Sequence, residues 1–390
     1  MTAAGRSVQT LVCHLLVFAQ GLVLTPLVVK SAGAQAYGAY VLLMPALAVL
    51  SALSPLGVGL LARRELPSAS DAEHRARLFY TRFWFQLVSA AMLGALAAAA
   101  LGTAHGLRNG VPDGIPRWLP AAYLLANAVF TQATDYFRYT HRIGVFNLSI
   151  VAQPWLFVLL ALAGHRATGR LDPSLLVGAM ASSCLLVGLA QMAGVVRELG
   201  LRVAWPGRAT LGRELRFGLP MILAYLVETV SSSGDRYLLA AFLSVRDVGA
   251  YAPACALGAL ALVVPRVFGV VLPPSLALQI DRGNEELAQR LAQSAARCFV
   301  VAGVPLLAMA AVLGRPLLGA YTTPAIAAAA WPVVPVVALG TLFSGLATIQ
   351  GLVLVARLRT PAMLRTTVAA TAAGLLLDVL LLATFRSVLA

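Results

Sequence analysis

The sequence predicts an all-α polytopic membrane protein with about eleven transmembrane helices. Of its 390 residues, 60% are hydrophobic and only 11% are charged, whereas soluble domains carry roughly 25% charged residues because their surfaces meet water. A helix needs about 20 mostly apolar residues to cross the hydrocarbon core of a bilayer. Runs of that length, separated by charged residues, cover 8–29, 37–61, 79–101, 118–137, 143–163, 173–195, 217–241, 248–272, 298–320, 328–353 and 362–384.

The basic residues mark one side of the membrane. The chain has 29 Lys and Arg against 15 Asp and Glu, a formal net charge of +14. Nucleic-acid binding is disfavoured, because such proteins group their basic residues in runs or stripes and here they are single or paired. Nineteen of them fall in loops on the side of the N-terminus and eight on the other side. Because short cytoplasmic loops hold the excess of Lys and Arg, we expect a cytoplasmic N-terminus.

Two charged inner segments, 62–78 and 281–297, combine mixed charge with helix-forming composition. Each is predicted to form a short amphipathic helix on the cytoplasmic surface.

The chain shows signs of an internal repeat. Tyr37-Gly38-Ala39-Tyr40 opens the second predicted span and Val248-Gly249-Ala250-Tyr251 opens the eighth. An even number of helices per half returns the chain to the same side, so the halves would be parallel repeats. We therefore predict a six-helix N-terminal lobe (1–196), a basic cytoplasmic connector (197–216) and a C-terminal lobe (217–390) with five helices, one short of a full repeat.

Span seven carries the most informative polar residues. Ionisable groups inside spans are costly and therefore default to a cavity-lining role. One helical face, at i, i+3, i+4 and i+7, holds Glu228, Ser231, Ser232 and Asp235, and Arg236 follows directly. The alternative is that Asp235 and Arg236 lie near the outer interface and extend to water. Glu228 lies two turns deeper, which favours the cavity.

Span four repeats this arrangement with Asn127, Thr131, Thr134, Asp135 and Arg138 on a single face. The last two are close to the cytoplasmic end, so a simple pairing there is an equal alternative to lining a cavity. Arg266 follows Pro265 in span eight, where a proline-broken helix could turn the charge inward. In span eleven, Thr367, Thr371 and Asp378 could line the same kind of face, although threonines often bond to their own helix.

No motif in the sequence indicates catalysis or metal binding. The five histidines are scattered, and HExxH, GxSxG and GxxxxGK[ST] are all absent. The four cysteines lie far apart in apolar runs and are expected to pack as small buried hydrophobes. We expect neither an enzyme nor a cofactor.

The segment Asp235-Arg236-Tyr237-Leu238-Leu239, followed by Val248-Gly249-Ala250-Tyr251, resembles the seventh-to-eighth helix region of polysaccharide-transport proteins, among them the O-antigen and oligosaccharide flippases of the multidrug, oligosaccharidyl-lipid and polysaccharide exporter superfamily. The run Ala36-Tyr37-Gly38-Ala39-Tyr40, with Leu56-Gly57-Val58-Gly59 before Arg63-Arg64, is similar to that family's opening helices.

The resemblance implies a V-shaped, two-lobe transporter in the bacterial cytoplasmic membrane. It would flip a polyprenyl-diphosphate-linked oligosaccharide by alternating access, through a cationic lumen to which Arg236 and Arg266 would contribute. The expected partners are this anionic lipid-linked glycan and membrane lipids, with no nucleic acid and a monomeric state. The family pattern has twelve or more helices, and the twelfth is missing here.

Two other functions stay open. A cation-coupled multidrug exporter of the same superfamily would use buried carboxylates such as Glu228 and Asp235, with H⁺ or Na⁺ as the coupling ion. A membrane glycosyltransferase or polymerase is disfavoured by the short outer loops, since such an enzyme needs an acid or base at the outer surface.

Overall fold

The computed structural model describes residues 3–59, 65–67, 69, 71–103, 115–262, 272, 276, 278–280, 282–356 and 360–385. Within these ranges the regular structure is helical and no strand occurs, which confirms the all-α prediction. The helices are α1 (Ala3–Leu53), α2 (Ala72–Thr103), α3 (Leu119–Tyr139), α4 (Ile143–Thr168), α5 (Pro173–Leu199), α6 (Arg208–Phe242), α7 (Val245–Gly258), α8 (Glu285–Tyr321), α9 (Pro324–Ala330), α10 (Val333–Ala356) and α11 (Thr360–Phe385).

Helix α1 is long enough for two membrane crossings. Its 51 residues are interrupted at Gly33, where the backbone leaves helical geometry at φ 81° and ψ 175°. Glycine suits this position because it adopts positive φ without a steric penalty from Cβ. The break separates the two runs that the sequence predicts at 8–29 and 37–61.

The prediction of a separate surface helix is wrong for segment 281–297, in which Glu285 begins the unbroken helix α8. In segment 62–78, residues 65–67 are helical, residues 62–64, 68 and 70 lie outside the described residues, and the part from Ala72 is continuous with α2. The reason is local, because neither helix contains Gly or Pro in its first five turns and nothing there ends the hydrogen-bond ladder.

Seven helices in the described part of the chain are long and apolar enough to cross a membrane. This confirms a multi-pass membrane protein. The seven do not include α3 or α6, the helices that carry most of the predicted site residues. Both helices carry polar side chains along much of their length, and these lower their mean hydropathy.

The chain divides into two compact units, Met1–Val230 and Ser231–Ala390. The division falls inside α6. The lobe limits at 196 and 217 and the internal repeat stay predictions.

Small residues bring helices together within each unit. In the first unit, a Cβ atom on Gly188 of α5 would lie 2.8 Å from the backbone nitrogen of Phe130 in α3. In the second unit, a Cβ on Gly258 at the end of α7 would lie 2.7 Å from the carbonyl oxygen of Val334 in α10. Close backbone approach at glycine is typical of helix packing in membranes, where van der Waals contact drives association.

A buried polar group also connects α3, α4 and α5. Thr134 Oγ1 donates to Gln191 Oε1 at 2.7 Å, and the Gln191 amide donates to Ser149 Oγ. All three side chains are at least nine-tenths buried. The cysteines meet the expectation only in part, because Cys184 and Cys255 are buried whereas Cys298 is exposed.

Candidate functional site

The first unit contains a partly open cavity of about 340 Å³ whose lining combines apolar and polar side chains. Its wall is built by the end of α1, the turn that follows it, α2, α3 and the middle of α6. The polar side chains that line it are those of Ser51, Arg82, Gln86, Thr131, Gln132, Asp135, Tyr136, Tyr139 and Tyr225. We call it the polar cavity.

Arg82 of α2 lies at one end of the polar cavity and is only 3% exposed. Its guanidinium group donates to Glu214 of α6 from Nη2 at 2.9 Å and from Nε at 3.2 Å, and it also bonds to Glu65. The second Glu214 oxygen accepts the backbone N–H of Gly59 at 2.7 Å. Glu65 in turn accepts from Arg213 at 3.0 Å. Two arginines and two carboxylates thus form a charge-balanced network, so that no charge is left uncompensated.

The turn after α1 makes this network possible. Leu56, Gly57 and Gly59 all have positive φ, at 48°, 75° and 106°, and two glycines allow this tight course at little steric cost. A Cβ on Gly57 would lie 2.2 Å from the Cα of Gly218 in α6. The absence of side chains on both residues therefore lets α6 approach closely enough for Glu214 to reach Arg82.

Gln86, one helical turn after Arg82, organises the centre of the polar cavity. Its amide nitrogen lies 3.3 Å from Ser54 Oγ and 3.4 Å from Thr131 Oγ1, and its carbonyl oxygen accepts from Gln132. The cavity surface therefore offers both donors and acceptors. It is suited to a polar, uncharged group more than to a bare anion.

Of the predicted face of α3, the structure places Thr131 and Asp135 in the wall of the polar cavity. Asn127 is half-buried, and its backbone oxygen accepts the Thr131 hydroxyl at 2.8 Å. Arg138 is exposed and lies over the ring of Phe146, 5.4 Å from its centroid. It is therefore outside the cavity wall that its neighbours form.

On α6, the first members of the predicted face, Glu228, Ser231 and Ser232, are exposed, whereas Asp235 and Arg236 are partly buried. Both of the latter belong to the second unit.

Asp235 accepts a hydrogen bond from the hydroxyl of Tyr251 in α7 at 2.9 Å. Within the described residues, its other oxygen Oδ1 and the Nε of Arg236 are buried without a hydrogen-bond partner. Asp378 of α11 is near enough to experience the charge of Asp235. Arg266, predicted to share this region, lies outside the described residues.

Arg82, Glu65 and Glu214 are missed by the sequence analysis. Arg82 counts there only as one of the inner basic residues, although the structure buries it. The available signal was Glu214, an acid isolated in a basic connector, since such a residue commonly has an arginine partner. No group of three or more metal-ligating side chains occurs within the described ranges.

The fold is that of known transporters. The chain aligns over 95% of its length, at a TM-score of 0.61 and 16% identity, with 83% of a multidrug resistance MATE family transporter of the MOP superfamily in its inward-facing conformation. It also matches the MATE multidrug transporter DinF-BH in complex with R6G, at a TM-score of 0.55 and 13% identity over 99% of this chain and 95% of that one.

A third similar structure is a MOP superfamily transporter from Pyrococcus furiosus, at a TM-score of 0.55 and 13% identity over 96% of this chain and 83% of that one. That protein is described as having a binding pocket of reverse polarity that suggests a different function. At these identities the likeness establishes the fold alone. No curated protein sequence matches the chain.

A family model of polysaccharide biosynthesis proteins matches residues 7–277, more than half of the sequence. This range contains the first unit from residue 7 onward, the polar cavity and the Asp235–Arg236 pair. The similar structures and the family agree with the resemblance seen in the residues themselves. The chain therefore belongs to the polysaccharide biosynthesis protein family, with the fold of the MATE transporters of the MOP superfamily.

Proposed function

We propose that this protein flips a polyprenyl-diphosphate-linked oligosaccharide across the bacterial cytoplasmic membrane by alternating access. The observation that carries the proposal is the combination of a polysaccharide biosynthesis family with a transporter fold. In polysaccharide assembly, movement of the lipid-linked precursor across the membrane is a step that requires a transporter. In this proposal the protein has no catalytic role, its N-terminus is cytoplasmic, and it acts as a monomer.

Arg236 is the residue that we assign to the diphosphate. An arginine stays charged in a dry site and forms paired hydrogen bonds with phosphate oxygens. The Nε of Arg236 is buried and has no acceptor among the described residues. A ligand oxygen would satisfy this donor, which otherwise costs free energy.

The other described arginines considered for this role are less available. Arg82 is already bonded to two carboxylates. Arg138 is exposed and covers Phe146. Arg266 keeps its expected role in the lumen as part of the proposal, together with Glu228, Ser231 and Ser232.

The polar cavity is suited to the sugar part of such a substrate. Gln86, Gln132 and Thr131 present amide and hydroxyl groups, which hydrogen-bond to sugar hydroxyls without a charge penalty. Asp135 adds a carboxylate acceptor to the same wall.

Cation-coupled multidrug export is the second candidate. It is favoured by the similar structures, which are multidrug transporters, and by the carboxylates Asp235 and Asp378 in the second unit. In that case H⁺ or Na⁺ would act at these carboxylates, and a drug would replace the glycan.

The experiment is complementation of a strain that lacks the chromosomal copy, with surface polysaccharide, protein level and drug susceptibility measured in parallel. Arg236→Ala should abolish surface polysaccharide at an unchanged protein level, and Arg236→Lys should restore part of it. Arg246→Ala, an exposed arginine at the start of α7, serves as the control and should behave as wild type.

A wild-type amount of surface polysaccharide in the Arg236→Ala strain would show that Arg236 does not bind the diphosphate. If the deletion strain has normal surface polysaccharide but raised drug susceptibility, and the wild-type copy reverses that susceptibility, the protein is a multidrug exporter and not a flippase.

A further inference from the structure

A second cavity, of about 360 Å³, shares Arg82 with the polar cavity. One wall is a single face of α2, with His74, Arg77, Leu78 and Thr81 at i, i+3, i+4 and i+7. The opposite wall is the beginning of α6, with Gly207, Thr210, Arg213 and Glu214. We call it the basic cavity.

Both carboxylates that line the basic cavity already have arginine partners. Glu214 binds Arg82 and the Gly59 N–H, and Glu65 binds Arg82 and Arg213. Within the described residues Arg77 has no acidic partner, and its side chain is exposed and faces the cavity. The lining therefore carries three arginines against two carboxylates, with His74 beside them, and the uncompensated charge is that of Arg77.

The segment between α5 and α6 carries exposed apolar side chains and leads into the basic cavity at Trp205. Leu201, Val203 and Trp205 are 71%, 86% and 58% exposed, whereas Pro206, next in the chain, is buried. Trp205 itself lines the basic cavity. Exposure of several apolar side chains to water is unfavourable, whereas the membrane interface accommodates such residues and is enriched in Trp.

We propose that the basic cavity binds the phosphate of an anionic phospholipid headgroup, with the lipid's glycerol and acyl region resting on Leu201, Val203 and Trp205. Basic pockets between transmembrane helices bind anionic lipid headgroups in this way. The phosphate lies between Arg77 and the N–H groups at the start of α6, whose first turn contains no acidic residue. Charge, cavity and apolar strip together favour a lipid over a soluble anion.

The basic cavity and the polar cavity have different linings, and Arg82 is the one described residue that lines both. A resident lipid would therefore support the first turns of α6 from outside the polar cavity. The proposal does not depend on which substrate is moved.

The test is native mass spectrometry of the full chain, purified in detergent and mixed with equal amounts of phosphatidylglycerol and phosphatidylcholine of matched acyl chains. Wild type should retain phosphatidylglycerol in preference. Arg77→Gln should lower that retention about ten-fold, the loss expected for one charge-assisted contact, and Arg77→Lys should keep most of it.

Arg197→Gln is the matched control, because Arg197 is exposed near the end of α5 and does not line the cavity. It should retain lipid as wild type does. Because Arg77 has no ion-pair partner within the described residues, Arg77→Gln should unfold at the same temperature as wild type, and its lower lipid retention would then not be caused by loss of folding.

Two further arms separate the sources of the phosphate. A Leu201→Ser, Val203→Ser double variant should also lose phosphatidylglycerol, because the apolar strip is removed. Inorganic phosphate binding that depends on Arg77, without any preference for phosphatidylglycerol, would overturn the lipid assignment. Equal phosphatidylglycerol retention by wild type and Arg77→Gln would overturn the site.

Discussion

Arg82 in α2 and Glu214 in α6 form an ion pair at 2.9 Å in which each side chain is 3% exposed. Removing two charges from water costs several kcal/mol per ion, and only good geometry with further hydrogen bonds offsets that cost. Here Glu65 completes the arginine and the Gly59 N–H completes the glutamate. The pair therefore fixes the beginning of α6 to the first unit.

Breaking this pair should destabilise the protein strongly. Arg82→Met would leave the buried Glu214 without its arginine, while Glu65 keeps Arg213, so we expect a loss of about 3–5 kcal/mol. Thermal unfolding in detergent, followed by size-exclusion chromatography, measures the change. Arg82→Met combined with Glu214→Leu should recover part of the loss, since the buried acid is then gone. If Arg82→Met unfolds at the same temperature as wild type, the buried Arg82–Glu214 pair described here would be contradicted.

The contact between Gly57 and Gly218 should tolerate no side chain. A Cβ on Gly218 would lie 2.3 Å from the Cα of Gly57, so Gly218→Ala must push α6 away and lower the melting temperature. Gly212→Ala is the control on the same helix, with nothing within 4 Å of the added Cβ. It should be neutral or stabilising by up to about 1 kcal/mol, the helix preference of Ala over Gly. Equal behaviour of the two variants would refute the close contact.

Gln191 should contribute to stability through its buried hydrogen bonds. Gln191→Leu removes the acceptor of Thr134 and a donor to Ser149, and an unsatisfied buried polar group costs about 1–3 kcal/mol. The same unfolding assay measures the loss. Thr384→Val is the comparison, because Thr384 is exposed and bonds only to its own helix in the described structure. A loss no larger for Gln191→Leu than for Thr384→Val would contradict the prediction.

The membrane orientation follows from the distribution of basic residues and is checked with reporter fusions. A fusion after Arg202 should report a cytoplasmic position, and a fusion after Arg170 an extracytoplasmic one, because the predicted topology has nineteen basic residues on the first side and eight on the second. The opposite pattern would invert the predicted topology and place the basic cavity in the other leaflet.

The helices were predictable because their formation is local. A run of apolar residues is transferred into the bilayer by its own composition, and this is why the prediction of an all-α membrane protein is confirmed. The prediction of a separate surface helix over 281–297 is wrong for an equally local reason. Nothing in the first turns of α8 stops a helix, so this charged segment continues into the apolar part of the same helix.

The candidate site was predictable only in part. Helical spacing predicts Thr131 and Asp135 on one face, and both residues line the polar cavity. The same spacing included Arg138, which the structure leaves exposed. Helical periodicity gives the direction in which a side chain points from the helix axis. The packing of neighbouring helices decides how far along that face a cavity extends.

By itself, the amino-acid sequence determined that this protein is a helical membrane protein, because hydrophobic transfer depends on each segment alone. Only the tertiary structure decided what its charges do. Arg82 and Arg77 lie five positions apart on the same helix and are alike in sequence, yet one is buried between two carboxylates and the other faces an open cavity. The difference depends on Glu214, which is 132 residues away from Arg82 and reaches it because two glycines let α6 come close.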